Sequence, residues 1–278
     1  MDDIYELSNR PYMKNRITTL FSKKPKNILS VYYTAGFPEL DSTVSIAQYL
    51  ANAGADIIEI GIPFSDPVAD GPTIQQSNKI ALENGMNVSL ALEQVRKIRE
   101  AGVDIPIIFM GYLNPVFQYG MAKFLKDASN AGVDGLILPD MPLHEYEEEY
   151  QPMFEAENLC NTFLISPTTS QERIKKIDAA TNGFVYAVSA SSITGARETF
   201  TDDQLRYFER LQKMKLDNPC LLGFGISNHE TFSKACEYGA GAVVGSAFIN
   251  LLKASRNVEK DVQSFVKALK GSAVSNPA

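Results

Sequence analysis

Glu59 stands inside Asp56-Ile57-Ile58-Glu59-Ile60-Gly61, a carboxylate set among β-branched residues. Side chains alternate along a strand, so Ile57, Glu59 and Gly61 share one face and Asp56, Ile58 and Ile60 the other. An ionised carboxylate is costly to bury. Burial raises its pKa into the range where one carboxyl can both give and take a proton. The ordinary alternative is a charge paired with a neighbouring Lys or Arg. The segment that follows, from Pro63 to Pro72, is rich in Pro and Gly and carries Asp66 and Asp70. Acids in such a loop commonly cap turns. One that folds back over the strand end would instead set a second carboxyl, in a different environment, opposite Glu59.

Three late segments carry glycine where an apolar run ends: Ser192-Ile193-Thr194-Gly195-Ala196, Gly223-Phe224-Gly225-Ile226-Ser227 and Gly245-Ser246-Ala247. Glycine lets backbone N–H groups approach an anion, and a helix start after Gly245 would add its positive end. Each segment alone is equally a tight turn. Tyr32, Met110, Tyr112 and Phe224 fall at the ends of other apolar runs, where they pack a core or together wall a ring-sized slot.

The elements that must position these residues recur along the chain. Eight short apolar runs, Ile28 to Thr34, Ala55 to Ile62, Ile105 to Tyr112, Gly135 to Asp140, Asn161 to Ser166, Gly183 to Ser189, Cys220 to Ile226 and Ala242 to Phe248, are each followed by a turn and a segment of helical spacing. Runs that are apolar throughout, alternating with amphipathic helices, indicate a parallel sheet covered on both faces. A junction recurs four times between helix and run: Ala53-Gly54-Ala55-Asp56, Ala101-Gly102-Val103-Asp104, Ala131-Gly132-Val133-Asp134 and Tyr238-Gly239-Ala240-Gly241. Glycine just past a helix closes it in the left-handed conformation. Eight such units imply an α/β fold, a (β/α)8 TIM barrel over residues 1–270 as a single domain, with an extra N-terminal helix from Asn15 to Ser22 and a flexible tail at 271–278. An open doubly wound sheet is the competing architecture. In a barrel the strand ends and following loops carry the chemistry, and glycine loops after the last strands are where phosphate binds.

Composition narrows the function classes. With 278 residues, 45% of them hydrophobic and a net charge of −7, the chain buries a large core and has no basic field for nucleic acid or anionic lipid. Cys160, Cys220 and Cys236 form no metal or disulfide pattern and read as reduced packing residues of a cytoplasmic protein. His144 and His229 stand apart at polar helix starts and read as surface or capping residues. The acidic opening Met1-Asp2-Asp3-Ile4-Tyr5 lacks the layout of a signal peptide, and no run is long enough to span a membrane.

The stretch Glu59-Ile60-Gly61-Ile62-Pro63-Phe64-Ser65-Asp66-Pro67-Val68-Ala69-Asp70-Gly71-Pro72-Thr73-Ile74-Gln75 resembles the signature of the tryptophan synthase alpha chain family. The likeness extends through Tyr32-Tyr33-Thr34-Ala35-Gly36-Phe37-Pro38, Asp140-Met141-Pro142 and the late glycine loops. It implies a lyase that cleaves indole-3-glycerol phosphate to indole and glyceraldehyde 3-phosphate by a retro-aldol reaction, with no cofactor in this chain. Position by position, Glu59 matches the family's general acid/base, Asp70 the acid facing the indole N–H, and Tyr186 a tyrosine beside the reacting centre. Thr194 and Gly195 match a loop that closes over substrate. Gly195, Gly223, Gly225, Gly245 and Ser246 match phosphate binders, and Tyr32, Ile74, Met110, Tyr112, Ile137, Thr194 and Phe224 match the pocket lining. The resemblance also implies a PLP-dependent beta chain that receives indole through a tunnel in an αββα heterotetramer, meeting this chain at Asp66-Pro67 and at Asn114-Pro115-Val116-Phe117. Two departures stand out: Ser189-Ala190-Ser191-Ser192 lacks the Arg and Gly of some members, and Tyr32 replaces a Phe. Two other function classes compete. A phosphate-binding synthase or isomerase barrel would ordinarily place a Lys at a strand end, and the eight runs contain none. A barrel that only binds a beta chain would have no use for both Glu59 and Asp70.

Overall fold

A computed structural model describes residues 14–188, 199–223 and 225–271. The strands are β1 (Ile28–Thr34), β2 (Ile57–Gly61), β3 (Ile107–Met110), β4 (Gly135–Ile137), β5 (Cys160–Thr162), β6 (Leu164–Ile165), β7 (Val185–Val188), β8 (Cys220–Gly223) and β9 (Gly241–Val244). All pairings are parallel, in the order β5-β4-β3-β2-β1-β9-β8-β7-β6. The two edge segments, β5 and β6, are separated in the chain only by Phe163, so one interrupted strand supplies both edges and the sheet closes into the (β/α)8 barrel. The run from Asn161 to Ser166 is therefore not one continuous strand. Several other runs overshoot their strands, because their last apolar residues belong to the loops at the barrel mouth.

The helices are α1 (Arg16–Lys23), α2 (Ser42–Ala53), α3 (Pro72–Glu83), α4 (Val88–Glu100), α5 (Leu113–Tyr119), α6 (Met121–Ala131), α7 (Leu143–Glu145), a π-turn at Tyr146–Tyr150, α8 (Gln151–Ala156), α9 (Gln171–Ala180), α10 (Asp202–Met214), α11 (His229–Tyr238), α12 (Ser246–Ala254) and α13 (Val258–Lys270). Local chemistry starts many of them. Asn15, Asn87, Ser170, Thr201, Asn228 and Asn257 each accept a backbone N–H of the first turn, and Pro72 opens α3. No helix among the described residues is long and apolar enough to cross a membrane.

Strand alternation divides the core in two. Ile28, Ile57, Ile108, Ile137, Cys160, Phe184, Leu221 and Val243 pack inside the barrel, while Val31, Ile58, Ile60 and Val244 face the helices. Each fully buried Ile or Leu contributes roughly 1.5–3 kcal/mol. Helix α1 plugs the base: Ile17 is fully buried, Leu20 and Phe21 pack on the interior cluster, and the Phe21 and Phe184 rings lie 6.0 Å apart.

The recurring junction proves to have two parts. Gly54, Gly102 and Gly132 take positive φ values of 94, 84 and 94°, as helix closure requires. Gly239 does not, with φ −118°. A Cβ there would lie 2.8 Å from the Cys220 carbonyl oxygen, so close approach of α11 to β8 explains this glycine. The Asp residues of the junction gather at the barrel base. Asp134 pairs with Arg99 at 2.6 Å and Arg16 at 3.1 Å, Asp104 with Arg16 at 2.8 Å, and Asp56 with Lys24 at 2.6 Å and Lys270 at 3.1 Å. Asp56 and Asp134 also accept the N–H groups of Leu29 and Ile107 at 2.9 and 2.8 Å, pinning the starts of β1 and β3.

None of the three cysteines forms a disulfide among the described residues. His144 is exposed beside Glu148, and Nδ1 of His229 donates to the Leu269 carbonyl at 2.8 Å, tying α11 to α13.

Candidate active site

Glu59 faces the barrel interior from β2 and is fully buried. Ser30, on β1, donates its hydroxyl to Oε1 at 2.6 Å, and Oε2 has no hydrogen-bond partner among the described residues. No described Lys or Arg pairs with it, so the ion-pair alternative fails. Burial raises the carboxyl to about 7, against the Ser30 bond, which lowers it.

Asp70 reaches the same mouth from the loop before α3. Its N–H donates to Pro67 O at 3.0 Å, Gln75 Nε2 donates to its carbonyl at 2.8 Å, and Asn78 Nδ2 donates to Oδ2 at 3.4 Å. Burial raises this carboxyl to about 6, opposed by hydrogen bonds from Tyr112 and Asn78. The Tyr112 hydroxyl accepts the Ala69 N–H at 3.0 Å while donating to Asp70, and its ring lies 5.3 Å from that of Phe64. One tyrosine after β3 thus clasps the loop after β2.

Two more tyrosines, Tyr32 and Tyr186, are buried in the same part of the barrel. The Tyr186 phenol is held well above its usual pKa by burial first, then by the charges of Glu59 and Asp70, and Tyr32 is raised by burial, then Asp70, with a smaller effect of Glu59. Both rings therefore feel the charges of both carboxyls. Ser77 donates to Ile74 O at 2.8 Å, so Thr34 donates to Ser77 at 2.7 Å, and the Tyr32 hydroxyl, 3.4 Å from Thr34, donates into this chain. Asn78, Ser77 and Ser30 escaped the sequence reading. The only signal for Ser30 was its shared strand parity with Tyr32.

The remaining expected site residues divide. Met110 is half-buried at the end of β3, and Ile137 is fully buried in the interior cluster on which Met110 and Tyr186 rest. Gly245 precedes α12 and Ser246 is its first residue, with Tyr32 and Ile74 within 3.8 Å of where a Gly245 Cβ would sit. Gly225 has φ +72°. Thr194, Gly195 and Phe224 lie outside the described residues, as does the tail beyond Gly271. At Gly223 a Cβ would lie 2.4 Å from Tyr186 Cε2, so this glycine makes room for the tyrosine ring. Gly223→Ala is expected to displace Tyr186 and to lower kcat/KM about tenfold or more; steady-state kinetics check it. No cluster of His, Cys, Asp or Glu fit to hold a metal occurs among the described residues.

A buried carboxyl with a raised pKa, a second raised carboxyl and several tyrosines at a barrel mouth have the chemistry for proton transfer to an aromatic substrate. The family model for the tryptophan synthase alpha chain matches residues 19–275. The chain belongs to the tryptophan synthase alpha chain family. The Flavobacterium psychrophilum alpha chain is 50% identical over 247 residues, 89% of this chain and 96% of that protein. The Bacteroides thetaiotaomicron alpha chain is 45% identical over 256 residues, 92% and 100% of the two chains. The structure of tryptophan synthase subunit alpha from Legionella pneumophila superposes with a TM-score of 0.84 at 33% identity, covering 93% of this chain and 98% of the other. The tryptophan synthase alpha family cleaves indole-3-glycerol phosphate in tryptophan biosynthesis, a lyase step paired with a beta chain, and this chain is an enzyme subunit of that kind.

Proposed function

We propose that Glu59 and Asp70 carry the retro-aldol cleavage of indole-3-glycerol phosphate to indole and glyceraldehyde 3-phosphate, Glu59 as acid and then base. The observation behind this reading is a pair of buried carboxyls without a counter-charge among the described residues, raised to about 7 and about 6, whose charges both act on Tyr32 and Tyr186. Breaking the carbon–carbon bond directly would leave a poor carbanion on the indole ring. Protonated Glu59 gives its proton to the ring carbon that carries the side chain. Positive charge then appears at the ring nitrogen, where the Asp70 carboxylate accepts the N–H and stabilises the cation. The Glu59 carboxylate next takes the proton of the side-chain hydroxyl. The carbon–carbon pair returns to the ring, the aldehyde forms, and Glu59 ends protonated as it began.

Tyr186 supports the reacting centre, and Tyr32, Ile74, Met110, Tyr112, Ile137, Thr194 and Phe224 form the ring slot. Gly195, Gly223, Gly225, Gly245 and Ser246, with the N-terminus of α12, hold the phosphate. The chemistry calls for no cofactor in this chain, and PLP belongs to the beta chain. Exposed Val68, next to Asp66-Pro67, and exposed Phe117, on α5, stand at the two segments expected to meet that chain and suit an apolar contact in an αββα heterotetramer. The proposed location is the cytoplasm.

The test is release of indole from indole-3-glycerol phosphate by the chain alone and with a beta chain. Release of carbon dioxide from the carboxylated precursor of that substrate, without indole, would favour a synthase. Asp70→Asn is expected to cut indole release about 100-fold, and turnover within a few-fold of wild type would remove Asp70 from the mechanism.

A further inference from the structure

β1 places a hydroxyl inside the barrel between two aliphatic register partners. Ser30 is fully buried, and its register partners are Ile57 on β2 and Val243 on β9. It sits one layer below the paired Tyr32 and Glu59. Its contact with Glu59 Oε1, 2.6 Å, has the length of a bond to a charged oxygen. A serine hydroxyl has one hydrogen, so Oε1 is committed as its acceptor and a proton on Glu59 resides on the other oxygen. That other oxygen, Oε2, is buried and has no partner among the described residues.

We propose that Ser30 is a positioning residue for Glu59: its hydroxyl fixes Oε1 and makes Oε2 the atom that gives and takes the proton. This rests on the acid/base reading of Glu59. Without Ser30 the carboxyl has two equivalent oxygens and no anchor, so fewer of its conformers aim a proton at the substrate. The same bond favours the ionised form, opposing burial. The groups facing Glu59 define the background: Tyr32 from β1, Tyr186 from β7, Asp70, whose charge both rings feel, and apolar Ile108 paired from β3, with no cation among the described residues.

Ser30→Ala and Ser30→Cys, the second nearly isosteric and a weak donor, are assayed beside Ser30→Thr, which restores a hydroxyl. The Ala and Cys variants are expected to lose about tenfold in kcat with KM within about twofold, and the Glu59 limb of the pH profile is expected to move up by about one unit. The Thr variant should keep the wild-type limb. Unchanged kcat and an unshifted limb in Ala and Cys would overturn the proposal, as would a folded Thr variant that behaves like them. Glu59→Gln in the same series separates the two readings. If it is inactive while the Ser30 variants are normal, Ser30 alone is dismissed; if it is active, the acid/base assignment falls first.

Discussion

Glu59→Gln should reduce indole formation by about a thousand-fold or more and at the same time flatten the loss of stability with pH. The carboxyl rises from 4.5 to about 7 on burial. Below pH 4.5 it is protonated in both folded and unfolded chains and has no effect on the difference between them. Between 4.5 and 7 the folded state holds the proton more tightly, so stability falls as pH rises, and above 7 the full penalty stands. A gap of about 2.5 units corresponds to roughly 3 kcal/mol. Gln, which does not titrate, escapes this, although its amide hydrogens replace Oε2 without a partner and offset part of the gain. Urea titrations of wild type and variant at several pH values check it, and parallel stability curves would refute a buried, unpaired Glu59. The chain has no Trp, so released indole is read by fluorescence against little background.

Asp134→Ala should be the most damaging single change at the base. Asp134 is almost fully buried, holds Arg99 and Arg16, and accepts the Ile107 N–H. Truncation leaves Arg99, with only 13% of its side chain exposed, facing no carboxylate at 2.6 Å. Removing one partner of such a pair costs about 3–5 kcal/mol. Turnover per folded molecule should be unchanged, because these groups lie at the strand starts and the carboxyls of the site at the strand ends. A lowered urea midpoint with normal kcat is the expected pair of results; a matching fall in kcat would mean that base and mouth are coupled.

Much of this was legible because strand parity is a rigid rule. It placed Glu59 inward from six residues of sequence, while the Pro63 to Pro72 loop offered Asp66 and Asp70 alike and only the family resemblance chose Asp70. Parity was silent on partners. Whether Glu59 met a cation or a hydroxyl depended on Ser30 of β1, 29 positions away in the chain and adjacent only once β1 and β2 pair. Gly223 showed the same limit: glycine at a strand end fits a phosphate or a neighbouring ring, and only the position of Tyr186 reveals the second use. The break at Phe163 was hidden for the opposite reason, since an apolar residue in an apolar run carries no mark of an interrupted ladder. The repeated junction was recognised by its glycines, while its aspartates drew no notice until α1, α4 and α13 brought cations to them.

Those aspartates make the barrel's underside an ionic belt. Its outer links, at Lys24 and Arg16, have side chains 38% and 41% exposed, within reach of dissolved salt. Glu59 and Asp70, at the other end, face no such counter-charge among the described residues. Ionic strength is therefore a dial that turns at one end of the molecule, slackening the fastening of the chain while leaving the two buried carboxyls at their own setting. Stability in salt and the ionisation of these carboxyls are thus open to separate adjustment.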